Sequence, residues 1–122
     1  MKNILAGALN GNADAQYNLG IMYASGLGVI QDYNEAVKWF RLSSSQGNAQ
    51  AQKIYGLMYA SGRGVTQDYV RAHMWLNISA SSGDKNAEAN LDIVAKKMTP
   101  TQIEKAQEIS RLCMKLTFKN RD

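Results

Sequence analysis

The chain is poor in the residues that most chemistry and most cross-linking require. One cysteine, Cys113, stands in 122 residues, so no disulfide can form within the chain and no zinc site can be built from thiolates. One proline, Pro100, leaves the rest of the chain free of the residue most hostile to helices. One histidine, His73, leaves little for acid–base or metal chemistry. No apolar run approaches the roughly 18 residues of a membrane span, so membrane insertion is not expected. The start, from Met1 to Leu9, faintly resembles a signal peptide. Repeat sequence begins at Gly11, however, which leaves no room for a full apolar region and a cleavage site. The segment reads as folded protein with no leader in this chain, and the compartment stays open.

The net charge of +4 raises the question of nucleic acid. Residues 1–82 carry six Lys/Arg and four Asp/Glu, and residues 83–122 carry eight and six. Each part is therefore +2, with the signs interspersed and no basic stripe carrying stacking aromatics. Nucleic-acid binding is not expected.

What the chain does have is a repeat. Residues 11–46 written above residues 47–82 give 20 identities in 36 positions without a gap, from Gly11 over Gly47 to Ser45 over Ser81. A third copy opens at Gly83-Asp84, keeps Ala87 and Leu91, and then departs, with Asp92 where the first two copies have Gly20 and Gly56. The organisation is one domain: a partial repeat at 1–10, repeats at 11–46 and 47–82, a partial third repeat at 83–98 and a capping helix at 99–122.

Local chemistry makes each repeat a pair of helices. Asn12, Asn48 and Asp84 suit N-caps of first helices, and Asp32 and Asp68 suit N-caps of second helices, with Glu35 placed to complete a capping box. Apolar spacing puts Ala15, Leu19, Met22 and Tyr23 on one stripe, with Ala51, Tyr55, Met58 and Tyr59 in the next copy. Gly26 and Gly62 stop the first helices, and Gly47 and Gly83 end the second ones. The second helices are expected to bury Tyr33, Ala36, Val37, Trp39 and Phe40, then Tyr69, Ala72, Trp75 and Leu76. Gly20 and Gly56, at about 1 kcal/mol each against alanine inside a helix, predict close helix crossings. Thr99-Pro100-Thr101-Gln102 reads as an N-cap, a first-position proline and a capping glutamine. The helix after it should place Ile103, Ala106, Ile109, Leu112, Cys113 and Leu116 on one side.

The string A-x-A-Q-x-x-x-G-x-M-Y-x-x-G-x-G-V-x-Q-D-Y-x-x-A-x-x-W, at Ala13–Trp39 and again at Ala49–Trp75, resembles the Sel1-like repeat, a relative of the tetratricopeptide repeat. That resemblance implies an all-α fold, a right-handed α/α solenoid of antiparallel helix pairs, serving as an adaptor or scaffold for a protein or peptide partner. Some members carry paired cysteines in each repeat; this chain does not.

Catalysis finds no constellation. His73, aligned with Val37, reads as a helix-face residue, with a ligand contact as the competing reading. The serines at 43–45, 79, 81 and 82 precede helix-ending glycines, and no base is placed for them. Gly26-x-Gly28 and Gly62-x-Gly64 lack the strand and the ending of a phosphate loop and read as turns. The chain is therefore read as no enzyme, without cofactor or metal, and Cys113 as a buried small hydrophobe. Two alternatives stay open: an enzyme acting on cell-wall or peptide-like substrates, and a fragment of a larger repeat assembly with weak self-association through the N-terminal half-repeat.

Subtracting what the copies share leaves the first-helix positions that differ. In the related tetratricopeptide architecture the first helices line the concave surface, and on that resemblance the partner-binding candidates are Asp14, Tyr17, Asn18 and Ile21, then Gln50, Lys53, Ile54 and Leu57, then Asn86 and Asn90. Plain solvent exposure is the competing reading for all ten.

Overall fold

The computed structural model describes residues 2–119, with side chains described for residues 3–115. Seven helices and no strand occur among them: α1 (Lys2–Leu9), α2 (Ala13–Ser25), α3 (Tyr33–Ser45), α4 (Ala49–Ser61), α5 (Tyr69–Ser81), α6 (Lys85–Ala95) and α7 (Pro100–Lys119). Residues 120–122 of the expected capping segment and the Leu116 side chain lie outside the described residues. Among the described residues no helix is long and apolar enough to cross a membrane.

Side-chain caps start the helices where the sequence places them. Asn12, Asn48 and Asp84 each accept a bond from the backbone N–H three residues on, at 2.9, 2.9 and 3.0 Å. Asp32 accepts from the Asn34 and Glu35 N–H groups, and Asp68 from Arg71. The expected reciprocal bond from Glu35 is not made: the Asp32 N–H is already taken by the Tyr23 carbonyl at 2.9 Å, which ties the loop to the end of α2. The capping box does close at α7, where Thr99 and Gln102 exchange bonds of 2.9 and 3.1 Å. Gly26 and Gly62 end α2 and α4 in the left-handed conformation, with φ of 73° and 72°.

The helices stack in chain order, α1 on α2, α2 on α3, α3 on α4, α4 on α5 and α5 on α6, while α7 folds back against α5. One continuous core runs through Phe40, Tyr55, Met58, Leu76 and Ala87 to Met98 and Ala106, and a smaller one gathers Ala8, Leu19 and Trp39 at the N-terminal end. Helix crossings are tight at the repeated glycines. A Cβ on Gly20 would sit 2.7 Å from the Phe40 ring, and one on Gly56 would sit 3.0 Å from the Ala72 carbonyl oxygen.

Several repeated polar residues turn out to be internal staples. Ser43 and Ser79, both fully buried, donate at 2.7 Å to the Ala13 and Ala49 carbonyls at the starts of α2 and α4. Gln16 and Gln52 are buried and reach back to the Ala8 and Ser44 carbonyls, each at 3.1 Å. Gln31 and Gln67 hold the Ala24 and Ala60 carbonyls. The glutamine bonds to the Ala24 and Ala60 carbonyls satisfy acceptors in the last turns of α2 and α4, where the helix supplies no donor. The other four add a second bond that ties one helix to the next.

Further expectations change. Tyr33, Tyr69 and Trp75, expected in the core, are only half-buried, packed against its edge. Leu112 is 53% exposed and Cys113 is only half-buried, because the turn of α7 facing α5 is centred on Ala106 and Ser110. Ser110 is fully buried and accepts a 2.8 Å bond from the Asn77 amide of α5. His73, read as a helix-face residue, is 3% exposed, and its Nδ1 has no hydrogen-bond partner.

Burial pushes the His73 pKa below its ordinary 6.5. The unfolded chain takes up a proton as the pH falls through that value, while the fold resists protonation until a lower pH. The contribution of His73 to stability is therefore complete above pH 6.5, shrinks below it, and levels off beneath the folded-state pKa. The urea midpoint should decline between neutrality and about pH 5.5. His73→Val, the residue type that repeat 1 carries at Val37, should flatten that decline; equal slopes for both proteins would remove His73 as its cause.

Candidate partner-binding surface

The first helices α2, α4 and α6 carry their residues in register, 36 apart, so three side chains of one row come from three helices. One row is Asp14, Gln50 and Asn86, all exposed. A second is Asn18, Ile54 and Asn90, of which Asn18 is exposed and the other two half-buried. A third is Ile21, Leu57 and Ile93: the first two are partly buried against the core, while Ile93 is 55% exposed.

Three of the expected contact residues already have work within the fold. The Asn48 amide donates to Asp14 at 3.0 Å, and Lys53 pairs with Asp84 at 3.5 Å. Each link joins one first helix to the N-cap residue of the next, so Asp14 and Lys53 brace neighbouring repeats. Tyr17 is half-buried with its ring 6.1 Å from that of Phe40, and burial pushes its phenol pKa up. Truncating Tyr17 therefore costs packing as well as any partner contact.

Ile54 and Leu57 are brought together. With Ala24, Tyr33, Met58, Ser61 and Arg63 they line an open depression of about 210 Å³ where the end of α2, the start of α3 and the second half of α4 meet. The lining is apolar except at the rim, where the Arg63 guanidinium lies over the Tyr33 ring at 5.7 Å. That volume is below the roughly 300–1,000 Å³ of metabolite and cofactor pockets. Among the described residues no group of three or more His, Cys, Asp or Glu converges as a metal site would require.

Sequence reasoning missed Ile93, Tyr33 and Arg63. The 36-residue register carries the signal for Ile93, since it completes the row of Ile21 and Leu57. Arg63 differs from its counterpart Leu27, but a comparison confined to first helices passes over a loop residue. Nothing in the pattern marks Tyr33, whose recurrence as Tyr69 reads as framework.

Seven stacked helices with caps repeating every 36 residues, and an open face of in-register first helices, define an α/α repeat solenoid. The chain matches the Sel1 repeat over residues 13–48 and 49–84 and belongs to that family, one generally used for protein–protein interaction and typically non-enzymatic. It is similar to the crystal structure of a protective antigen present in uropathogenic Escherichia coli strains and displaying an SLR fold. The two share 31% identity at a TM-score of 0.89, over 93% of this chain and 25% of the other. It is also similar to a Sel1 repeat protein from Oxalobacter formigenes, with 36% identity and a TM-score of 0.71 over 74% of this chain and 37% of the other. The chain thus spans about a quarter and just over a third of the lengths of these two proteins. No curated protein sequence matches it.

Proposed function

We infer that the solenoid is a scaffold that holds a protein or peptide segment against the face formed by α2, α4 and α6. The contact surface comprises Asn18, Ile21, Gln50, Ile54, Leu57, Asn86 and Asn90, with Asp14, Tyr17 and Lys53 contributing their outer edges. The observation that carries this reading is the apolar depression at Ile54 and Leu57. These two occupy first-helix positions that differ between copies and, unlike the differing core pair Phe40 and Leu76, stay partly open.

Exposed positions give the cleanest test, because surface substitutions of this kind usually change stability by no more than about 0.5 kcal/mol. Asn18→Arg combined with Gln50→Arg should leave the melting curve unchanged. It should weaken, by about tenfold or more, the binding of peptides selected on the wild-type chain from a random library. Unchanged affinity, with amide shift changes confined to α3 and α5 when those peptides are titrated, would move the site to the second helices and end this assignment.

A further inference from the structure

We propose that the segment held on this face carries an acidic side chain next to an aliphatic or aromatic one, the apolar group filling the Ile54–Leu57 depression and the carboxylate pairing with Arg63. The inference deepens the scaffold reading and rests on it.

The rim supplies the charge complement. Arg63 is the one charged residue lining the depression, and among the described residues it has no carboxylate partner: the two ion pairs there are Lys53–Asp84 and Asp68–Arg71. The Arg63 guanidinium lies within cation–π reach of the Tyr33 ring, 5.7 Å from its centroid, and its planar fork is the group that binds a carboxylate through two bonds. Tyr33 is itself held from behind, its hydroxyl accepting from Gln31 at 3.3 Å. The cation is thus placed beside an apolar pocket sized for one side chain. The net charge of +4 favours approach of an acidic partner over a basic one.

The station occurs once. The counterpart of Arg63 in repeat 1 is Leu27, and in the third copy it is Thr99, so a single acidic residue sets the register of the bound segment. The aliphatic row continues to Ile21 on one side and to Ile93 on the other, which makes the occupant a segment passing through rather than a chain end stopping at Arg63. An acidic side chain is therefore the partner group, in preference to a terminal carboxylate.

The test is a selection on the full chain with random peptides of about twelve residues, long enough when extended to cross three first helices at roughly 10 Å spacing. One library displays peptides fused at both ends and the other leaves the C-terminus free. The wild-type protein should enrich Asp or Glu within two positions of an aliphatic or aromatic residue in the fused library. Arg63→Glu should exchange that preference for Lys or Arg and weaken the selected acidic peptides about tenfold, while melting within about 3 °C of wild type. Arg63→Lys, which keeps the charge and loses the planar fork, should retain the acidic preference at reduced affinity.

Enrichment of apolar peptides with background acidic content would overturn the proposal and leave the scaffold reading standing. So would an unchanged acidic motif on Arg63→Glu, or enrichment only where the C-terminus is free. A wild-type chain that enriches nothing would overturn both.

Discussion

Gly64→Ala should lower the melting temperature by roughly 10 °C or more, while the same change at Gly28, its counterpart one repeat earlier, should lower it by only a few degrees. Both glycines have left-handed φ angles, 71° and 79°, so both substitutions carry the backbone cost of about 1–2 kcal/mol that an L side chain meets there. The surroundings differ. A Cβ on Gly64 would lie 2.6 Å from the Tyr33 carbonyl oxygen and 2.7 Å from Val37 Cγ2, across the boundary between repeats. Backbone cannot move aside cheaply, and overpacking adds about 1–3 kcal/mol. A Cβ on Gly28 meets only the terminal methyl of Met22 at 3.2 Å, which can swing away. Thermal melts of the two variants check this. Equal losses would mean that the turn conformation alone makes Gly64 necessary, and that the tight inter-repeat contact adds nothing.

Phe40→Ala should cost about 3–5 kcal/mol, the range for emptying an aromatic site in a packed core. Phe40 is fully buried between Gly20 and Tyr17. Its effect on a second substitution is more telling. In the wild-type chain Gly20→Ala should be destabilising, because its new methyl would stand 2.7 and 2.8 Å from two ring carbons, a clash that outweighs the roughly 1 kcal/mol alanine gains in helix propensity. In the Phe40→Ala background the obstacle is gone, so the same Gly20→Ala change should stabilise, by about 1 kcal/mol, through propensity and partial filling of the cavity. Denaturant midpoints for the four proteins close the cycle. The same sign for Gly20→Ala in both backgrounds would show that Gly20 is not there to admit the ring.

The fate of the polar residues shows where sequence reasoning reaches and where it stops. Gln16, Gln52, Ser43 and Ser79 recur between copies and so were readable as framework, but their bonds join residues 8 or 30 apart across helix boundaries. No local rule predicts such a partner. His73 shows the opposite case. It differs from its counterpart Val37 and yet is buried, because a helix position keeps its place in the stack whichever residue occupies it. The subtraction that isolated the first-helix positions has the same weakness: Asp14 and Lys53 differ between copies and still serve to tie one repeat to the next.

The candidate surface was half legible. Ile54 and Leu57 could be named from register and difference alone. Tyr33 and Arg63, which shape and charge the rim of the same depression, could not, since one begins α3 and the other follows α4, 30 residues later in the chain.

The sequence by itself determined the helix pairs, most of their caps and their period. Those depend on interactions within one turn of helix and on a pattern repeated at fixed spacing. Only the tertiary structure decided which polar residues are spent inside the stack and which apolar ones stay open. Those outcomes depend on how neighbouring repeats meet, through distances of a few ångströms between side chains that lie far apart in the chain.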